Sequence, residues 1–285
     1  MANPARISSH RHIIRVLLVQ FQGNFYADIL APTSIGRLLK SAGFLAKFFG
    51  FFLGYVSPIR EAKNMSIQMV TWGNAHQCGE AWISHHRLRH RLFVQRLGWD
   101  VPTHEEFEYD QFDTPAAVYL LWCDEHGHAR GAVRLIPTTR PYMIKELWPD
   151  MAGDTELPSN AQTWEATRLG VDRDLSPALR RRVLGELIVA CLEFGMAHGL
   201  NEFLCVMPVA ILKGVLARSG CAVELLGCSK KMAGHDVAAA RVPVSHEILD
   251  QVRQRRDIPE TVLHHRIEDI MHPSSDMQVI DRLAA

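Results

Sequence analysis

The chain has no stretch long and apolar enough to cross a bilayer, no Cys-x-x-Cys pair, no net charge and no Gly-x-Gly at the entrance of its longest predicted helix. Each absence closes a class of function. The run from Ala42 to Val56 is shorter than the roughly 20 apolar residues a span requires and is interrupted by Lys47. It also begins too far into the chain for a secretory signal, and no small-x-small site clearly follows. The six cysteines lack zinc or disulfide-isomerase spacing, and several sit in apolar patterns, so they read as buried free thiols in a reducing cytoplasm. His85, His86 and His90 have no carboxylate or thiol placed to complete a tetrahedral site, so they read as part of a solvated, Arg-flanked helix face and no metal is expected. Balanced totals of 31 basic and 31 acidic residues argue against a chain-wide nucleic-acid surface.

The balance conceals two pieces. Residues 1–64 hold eight Lys/Arg against two Asp/Glu, and residues 65–285 hold 23 against 29. The first piece is basic and partly apolar. It reads as an extension to a domain that opens at Met65: a translated leader or disordered tail is favoured over an amphipathic anchor whose Phe/Leu face meets an acidic membrane. A charged, His-rich tail is expected over 256–285.

From Met65 onward the pattern is α/β. A helix is expected over Trp82–Phe93 with Ile83, Leu88, Leu92 and Phe93 on its apolar face, then a mobile acidic segment from Thr103 to Thr114. Ala116–Cys123 and Ala129–Ile136 flank an Asp-Glu-His-Gly turn and read as a hairpin. A strand is expected at Gln162–Val171. A long helix follows, capped by Ser176 with Pro177 in its first turn and ending by Gly199. Strand Glu202–Val206, a helix Val209–Ser219 stopped by Gly220, and strand Ala222–Leu226 complete the core. This order predicts a three-layer α-β-α sandwich of the N-acetyltransferase (GNAT-like) type.

Four stretches carry an ordered set of charged and aromatic residues: RLRHRLFVQRLGWDVP (Arg87 to Pro102), EFEYDQFDT (Glu106 to Thr114), GAVRLIPTTRPYM (Gly131 to Met143) and TWEATRLGV (Thr163 to Val171). Together they resemble the signature blocks of the acyl-homoserine-lactone synthases, the LuxI-type autoinducer synthases of quorum sensing. The resemblance covers roughly residues 68–255. It implies a transferase that joins the amine of S-adenosylmethionine to an acyl group from an acyl carrier protein or coenzyme A. Lactone closure then releases methylthioadenosine. S-adenosylmethionine is a substrate, so no cofactor is implied, and the cytoplasm is the expected location.

The resemblance also suggests a division of labour. Asp110 and Asp113 are expected to hold the ammonium of the substrate or to orient the cleft through ion pairs with Arg89 or Arg134, Arg134 to fix a carboxylate or the acidic loop by forked hydrogen bonds, and Arg168 to anchor that loop. Phe93 and Trp99 are expected to pack around the adenine or the sulfonium, as rings do around cations. Glu165, a strand glutamate among apolar neighbours, is the expected general base, because burial raises a carboxyl toward the useful range. Glu165 and Arg168 are three apart on one strand, which places them on opposite faces unless a bulge intervenes. Met207 stands where many relatives that prefer 3-oxo chains carry Thr, so an unsubstituted acyl chain is expected. Trp148, Ile211, Leu212 and Val215 are further candidate pocket walls. Arg180, Arg181 and Arg182 offer either a docking face for an acidic carrier protein or a solvated basic face. Two other readings stand beside the synthase: an acyl-coenzyme A N-acyltransferase acting on another small amine, and a non-catalytic S-adenosylmethionine-binding relative.

Overall fold

The computed structural model describes residues 66–232 and 234–263; the expectations for 1–64 and for the tail beyond Leu263 lie outside the described residues. The chain opens with strand β1 (Ser66–Val70) and helix α1 (Gly79–Arg89), which continues as π-helical turns over His90–Arg96. A short hairpin, β2 (Thr103–His104) and β3 (Phe107–Glu108), precedes the long strands β4 (Val118–Cys123) and β5 (Ala129–Pro137). Helix α2 (Met143–Leu147), a single 3-10 turn (Pro149–Ala152), β6 (Thr163–Val171) and α3 (Pro177–Ala197) follow. Then come β7 (Glu202–Pro208), α4 (Val209–Ile211) running into π-helical turns at Leu212–Ala217, β8 (Glu224–Leu225), β9 (Lys230–Met232), β10 (His235–Pro243) and α5 (His246–Arg256).

One mixed sheet of eight strands runs in the order β1-β4-β5-β6-β7-β10-β8, with β9 paired to β10. It is covered on both faces, as the α-β-α expectation required. Strand β4 shows why its sequence reads as an unbroken apolar run. Val118, Leu120 and Trp122 point into the core under α3, α4 and α5, while Tyr119, Leu121 and Cys123 point into the core under α1. Two glycines let the layers close. A Cβ on Gly131 would lie 2.7 Å from Val183 of α3, and one on Gly170 would lie 2.6 Å from Leu92.

Several expectations change. Ile83 is 40% exposed, whereas Leu88, Leu92 and Phe93 are buried, so the buried stripe of α1 is narrower than its apolar residues suggested. The acidic segment 103–114 is pinned, not loose, because Glu108 is wholly buried against two arginines. His85 is also fully buried, correcting the solvated-face reading. Its ring packs against Trp82 and Tyr119, and its Nδ1 lies 2.5 Å from the Trp82 carbonyl oxygen. The final strand expected at Ala222–Leu226 shrinks to β8, and the pairing role falls to β10, whose Ala238, Ala239 and Ala240 escaped notice as strand formers. The packed chain also runs past residue 255. Ile258 and Leu263 are buried, Leu263 bridges Ile67 of β1, and Glu193 of α3 accepts hydrogen bonds from the Val262 and Leu263 amides. Among the described residues no helix is long and apolar enough to cross a membrane.

Candidate active site

Strands β6 and β7 pair in parallel only from Thr163–Glu202 to Glu165–Leu204. Past that point β7 stays with β10 while β6 stays with β5, and a cleft opens between them. Its empty volume is about 1160 Å3, counting the open mouth. The cleft passes through the sheet. Phe93, Trp99 and Arg168 line it on the α1 side, and Leu184, Ile211 and Val215 line it on the α3 side.

A β-bulge shapes the α1 side. Ala132 pairs with Gly170 but Arg134 pairs with Thr167, so two residues of β6, Arg168 and Leu169, oppose Val133 alone. Arg168 takes φ +56°, a left-handed conformation that costs a side-chain-bearing residue about 1–2 kcal/mol. The bulge resolves the spacing difficulty by turning Arg168 to the face that also carries Glu165. Its guanidinium lies 5.5 Å from the centre of the Phe93 ring and 5.2 Å from that of Trp99, and the two rings stack at 4.7 Å. In this structure the cation those rings meet is Arg168.

Behind the rings lies a closed electrostatic frame. Arg89 grips Asp113 with both terminal nitrogens, at 2.7 and 2.8 Å, and donates from Nε to Glu108. Arg134 forks onto Asp110 at 2.7 and 3.0 Å and reaches Asp113 at 2.8 Å. Arg168 donates to Glu108 at 3.1 Å and to Asp110 at 2.5 Å. The Tyr119 hydroxyl donates to Asp113 at 2.6 Å. Three guanidinium groups thus neutralise three carboxylates with planar, forked hydrogen bonds, the geometry that offsets the cost of burying charge. Burial alone would raise the Asp113 carboxyl, but hydrogen bonds from Arg89 and Tyr119 and the charge of Arg134 hold it far below the usual range. Asp110 and Glu108 are lowered in the same way, against burial, by Arg168 with Arg134 and Arg89 respectively.

The structure therefore brings together Arg89, Asp110, Asp113, Arg134 and Arg168. It adds Glu108 and Tyr119, which the sequence reading left out. Glu108 carried a faint signal: residues 106, 108 and 110 share one face of an extended segment, and all three are acidic. Tyr119 carried none, being one more large residue in a buried strand.

Glu165 sits apart from this frame. It is 1% exposed, and its two oxygens accept hydrogen bonds from the Met143 and Ile144 amides, each 2.8 Å, at the start of α2. Burial pushes its carboxyl up to about 7, against the pull of those two amides and of Arg134. Met207 lines the cleft, as do Ile211 and Val215. Trp148 and Leu212 do not. Trp148, between α2 and the 3-10 turn Pro149–Ala152, packs with Leu226 and behind the cleft-lining Val206. Leu212 is buried among the core residues of the α3 face. Arg180 lines the cleft and donates to the Arg173 and Leu175 carbonyls, tightening the entrance to α3; Arg181 is exposed, and Arg182 pairs with Glu186 and Glu260.

The chain is similar to known proteins over these elements. The family model described as autoinducer synthase matches residues 80–252. An acyl-homoserine-lactone synthase of Aeromonas salmonicida is 33% identical over 145 residues, covering 50% of this chain and 69% of the relative. One from Vibrio anguillarum is 30% identical over 151 residues, covering 52% and 78%. Among solved structures, BjaI, a CoA-dependent acyl-homoserine lactone synthase held with SAM and isopentyl-CoA, is 27% identical with a TM-score of 0.65, covering 74% of this chain and 99% of that one. The match spans the charged frame, the bulged strand and the cleft together, and the chain belongs to the autoinducer synthase family, enzymes that act as acyltransferases of the acyl-homoserine-lactone synthase type.

Proposed function

We propose that the chain condenses S-adenosylmethionine with an acyl thioester and then closes the homoserine lactone, releasing methylthioadenosine. The observation that carries this reading is the cleft that joins a charged, aromatic face to an apolar one through the gap between β6 and β7. A cationic amino-acid substrate and an apolar acyl tail need opposite environments within bonding distance of each other. In the first step the α-amine nitrogen attacks the thioester carbonyl carbon, the carbon–sulfur bond breaks, and the amine proton leaves. In the second, a carboxylate oxygen displaces the sulfonium at Cγ and methylthioadenosine departs as a neutral sulfide. Both steps depend on holding the reacting atoms about 3–3.5 Å apart.

The frame of Arg89, Glu108, Asp110, Asp113, Arg134 and Arg168 fixes the shape of the α1-side wall. Phe93 and Trp99 close over the substrate beside Arg168. Trp99 Nε1 is buried with no hydrogen-bond partner in the structure, which leaves an indole N–H at the cleft wall for a substrate acceptor. Glu165 accepts the amine proton through water: burial raises its carboxyl to about 7, and each oxygen keeps a second lone pair beyond its amide bond. The acyl tail runs along Met207, Ile211 and Val215, whose lack of strong donors favours an unsubstituted chain. The thioester enters from an acyl carrier protein or from coenzyme A. BjaI, held with isopentyl-CoA, supports the second, and the exposed Arg181 beside Arg182 supports an acidic carrier.

The test is purified full chain given S-adenosylmethionine with acyl-carrier-protein and coenzyme A donors, read by methylthioadenosine release and by mass spectrometry of lipophilic products. The reading requires both products in equal amounts. N-acyl products of another amine without methylthioadenosine would replace it with a plain N-acyltransferase. Binding of S-adenosylmethionine without turnover by any donor would make the chain a non-catalytic relative.

A further inference from the structure

Glu165 and the arginine frame meet at one residue, Met143, the first of α2. Its amide nitrogen donates to Glu165 Oε2 at 2.8 Å, and its Sδ accepts from Arg134 Nη2 at 3.4 Å and from Arg168 Nη1 at 3.7 Å. The side chain is buried in the apolar cluster of Phe112, Tyr142 and Leu204, outside the lining of the cleft. A thioether is a weak, polarisable acceptor on an unbranched stem. It therefore reaches two buried guanidinium groups with a lone pair that a leucine there would lack. At the start of α2 no side chain caps the helix, and the Glu165 carboxylate takes the Met143 and Ile144 amides instead. The seating of that carboxylate and the placing of the two guanidinium groups are thus linked through a single side chain.

We propose that Met143 is a positioning residue for the reaction: its sulfur ties the start of α2 to Arg134 and Arg168, and so holds Glu165 in place against the charged frame. The inference rests on the synthase reading and adds to it a residue that acts through Glu165. The charged and titratable groups that bear on Glu165 are Arg134 of β5, Asp110 of the segment after β3, Tyr142 at the entrance to α2 and Cys205 of β7. Burial and Asp110 favour the protonated acid, whereas the two amides and Arg134 favour the carboxylate. Loosening the sulfur tie weakens both stabilising influences at once, so the carboxyl should then titrate at higher pH.

The test compares full-length wild type with Met143→Leu, Met143→Ile and Met143→Gln. Leucine and isoleucine keep the apolar bulk and remove the acceptor; glutamine restores an acceptor, its carbonyl oxygen, on an unbranched stem. The probe is carbon-13 at the glutamate carboxyls, with the Glu165 signal identified by its loss in Glu165→Gln. Its titration midpoint is expected to rise by about 0.5 pH unit or more in the acceptor-free variants and to return toward wild type in Met143→Gln. The acid limb of kcat for methylthioadenosine release should move with it, while KM for S-adenosylmethionine stays within about twofold of wild type. An unchanged midpoint in whichever acceptor-free variant folds, or an equal rise in Met143→Gln, overturns the proposal and reduces Met143 to packing. If wild type releases no methylthioadenosine with any donor, the synthase reading fails, while the carboxyl titration still decides what Met143 does.

Discussion

The two faces of the cleft differ in how they are held. On the α1 side every important contact is directional: forked guanidinium–carboxylate pairs, a tyrosine hydroxyl, a stacked ring pair and a bulge with a left-handed arginine. On the α3 side the wall is mostly Leu, Ile, Val and Met held by close packing, with Arg180 at the entrance to α3. A directional network is all or nothing, because removing one member strands its partners in a place without water. A packed wall degrades in proportion to the volume removed. One side therefore specifies where the substrate's charges go, and the other can accommodate tails by small adjustments.

The largest effect should come from breaking the directional side. Arg134→Met keeps volume but leaves Asp110 and Asp113 short of their shared partner, and breaking a buried pair in this way costs about 3–5 kcal/mol. Urea unfolding of the variant should show that loss together with loss of methylthioadenosine release. A cost under 1 kcal/mol would mean that the frame tolerates a missing cation and does not act as a unit.

Glu165→Gln should come next, and pH separates its two possible jobs. Burial raises the carboxyl from about 4.5 to about 7, so the folded protein holds this proton more tightly than the unfolded chain. That contribution to stability is complete below about pH 4.5 and disappears as pH rises through about 7, on the order of 3 kcal/mol in all. A general base works in the opposite direction, its rate rising through the same window as the carboxylate forms. The stability of wild type relative to Glu165→Gln should fall as pH rises from about 4.5 to about 7. The wild-type kcat/KM should rise across that window, and the variant should lose about a hundredfold or more in rate with a flat profile. A slower variant that keeps the wild-type pH profile would restrict Glu165 to anchoring α2.

Arg168→Lys sharpens the comparison at the boundary between the two faces. Lysine keeps the charge but cannot fork between Glu108 and Asp110 or lie flat against Phe93 and Trp99. An expected loss of about tenfold in kcat/KM, with stability lowered by about 1–2 kcal/mol, would show that planarity matters beyond charge. Equal activity would show that a point charge suffices at the bulge.

The same contrast explains what could be read from the sequence. Layer order was legible because α3, β4 and β5 announce themselves by apolar period and by the Ser176-Pro177 cap, features local to each segment. Strand β10 was not, because its Ala-Ala-Ala centre has low strand propensity and becomes sheet only by lying between β7 and β8. The charged residues were legible as an ordered set, since acids and arginines at fixed intervals in an apolar context require partners. Which partner each takes was not legible. Glu108 joins Arg89 and Arg168 across 19 and 60 residues, and Glu165 leaves the network for the amides of α2, choices fixed only when β3, β6 and α2 converge. Trp148 was hard to place for a related reason, as a tryptophan looks the same in sequence whether it lines a cleft or packs behind the residue that does.

The smallest effect belongs to the packed side, and its smallness is the point. Ile188→Val deletes one methyl group from the buried face of α3, and such a change costs about 0.5–1.5 kcal/mol. Asp113→Asn on the other side exchanges one heavy atom for another of nearly the same size. It nevertheless removes the charge that Arg89, Arg134 and Tyr119 converge on, so it should cost two- to threefold more. The two variants also differ in their response to acid. Asp113 is held ionised far below its ordinary range, so its contribution is present above about pH 4 and is lost as pH falls, and Asp113→Asn should flatten that loss. Ile188→Val carries no proton and should shift the whole stability profile by a constant amount. Parallel urea titrations at pH 3, 5 and 7 would read both behaviours, and a pH-dependent gap for Ile188→Val would show that the packed wall and the charged frame are coupled through the strands between them.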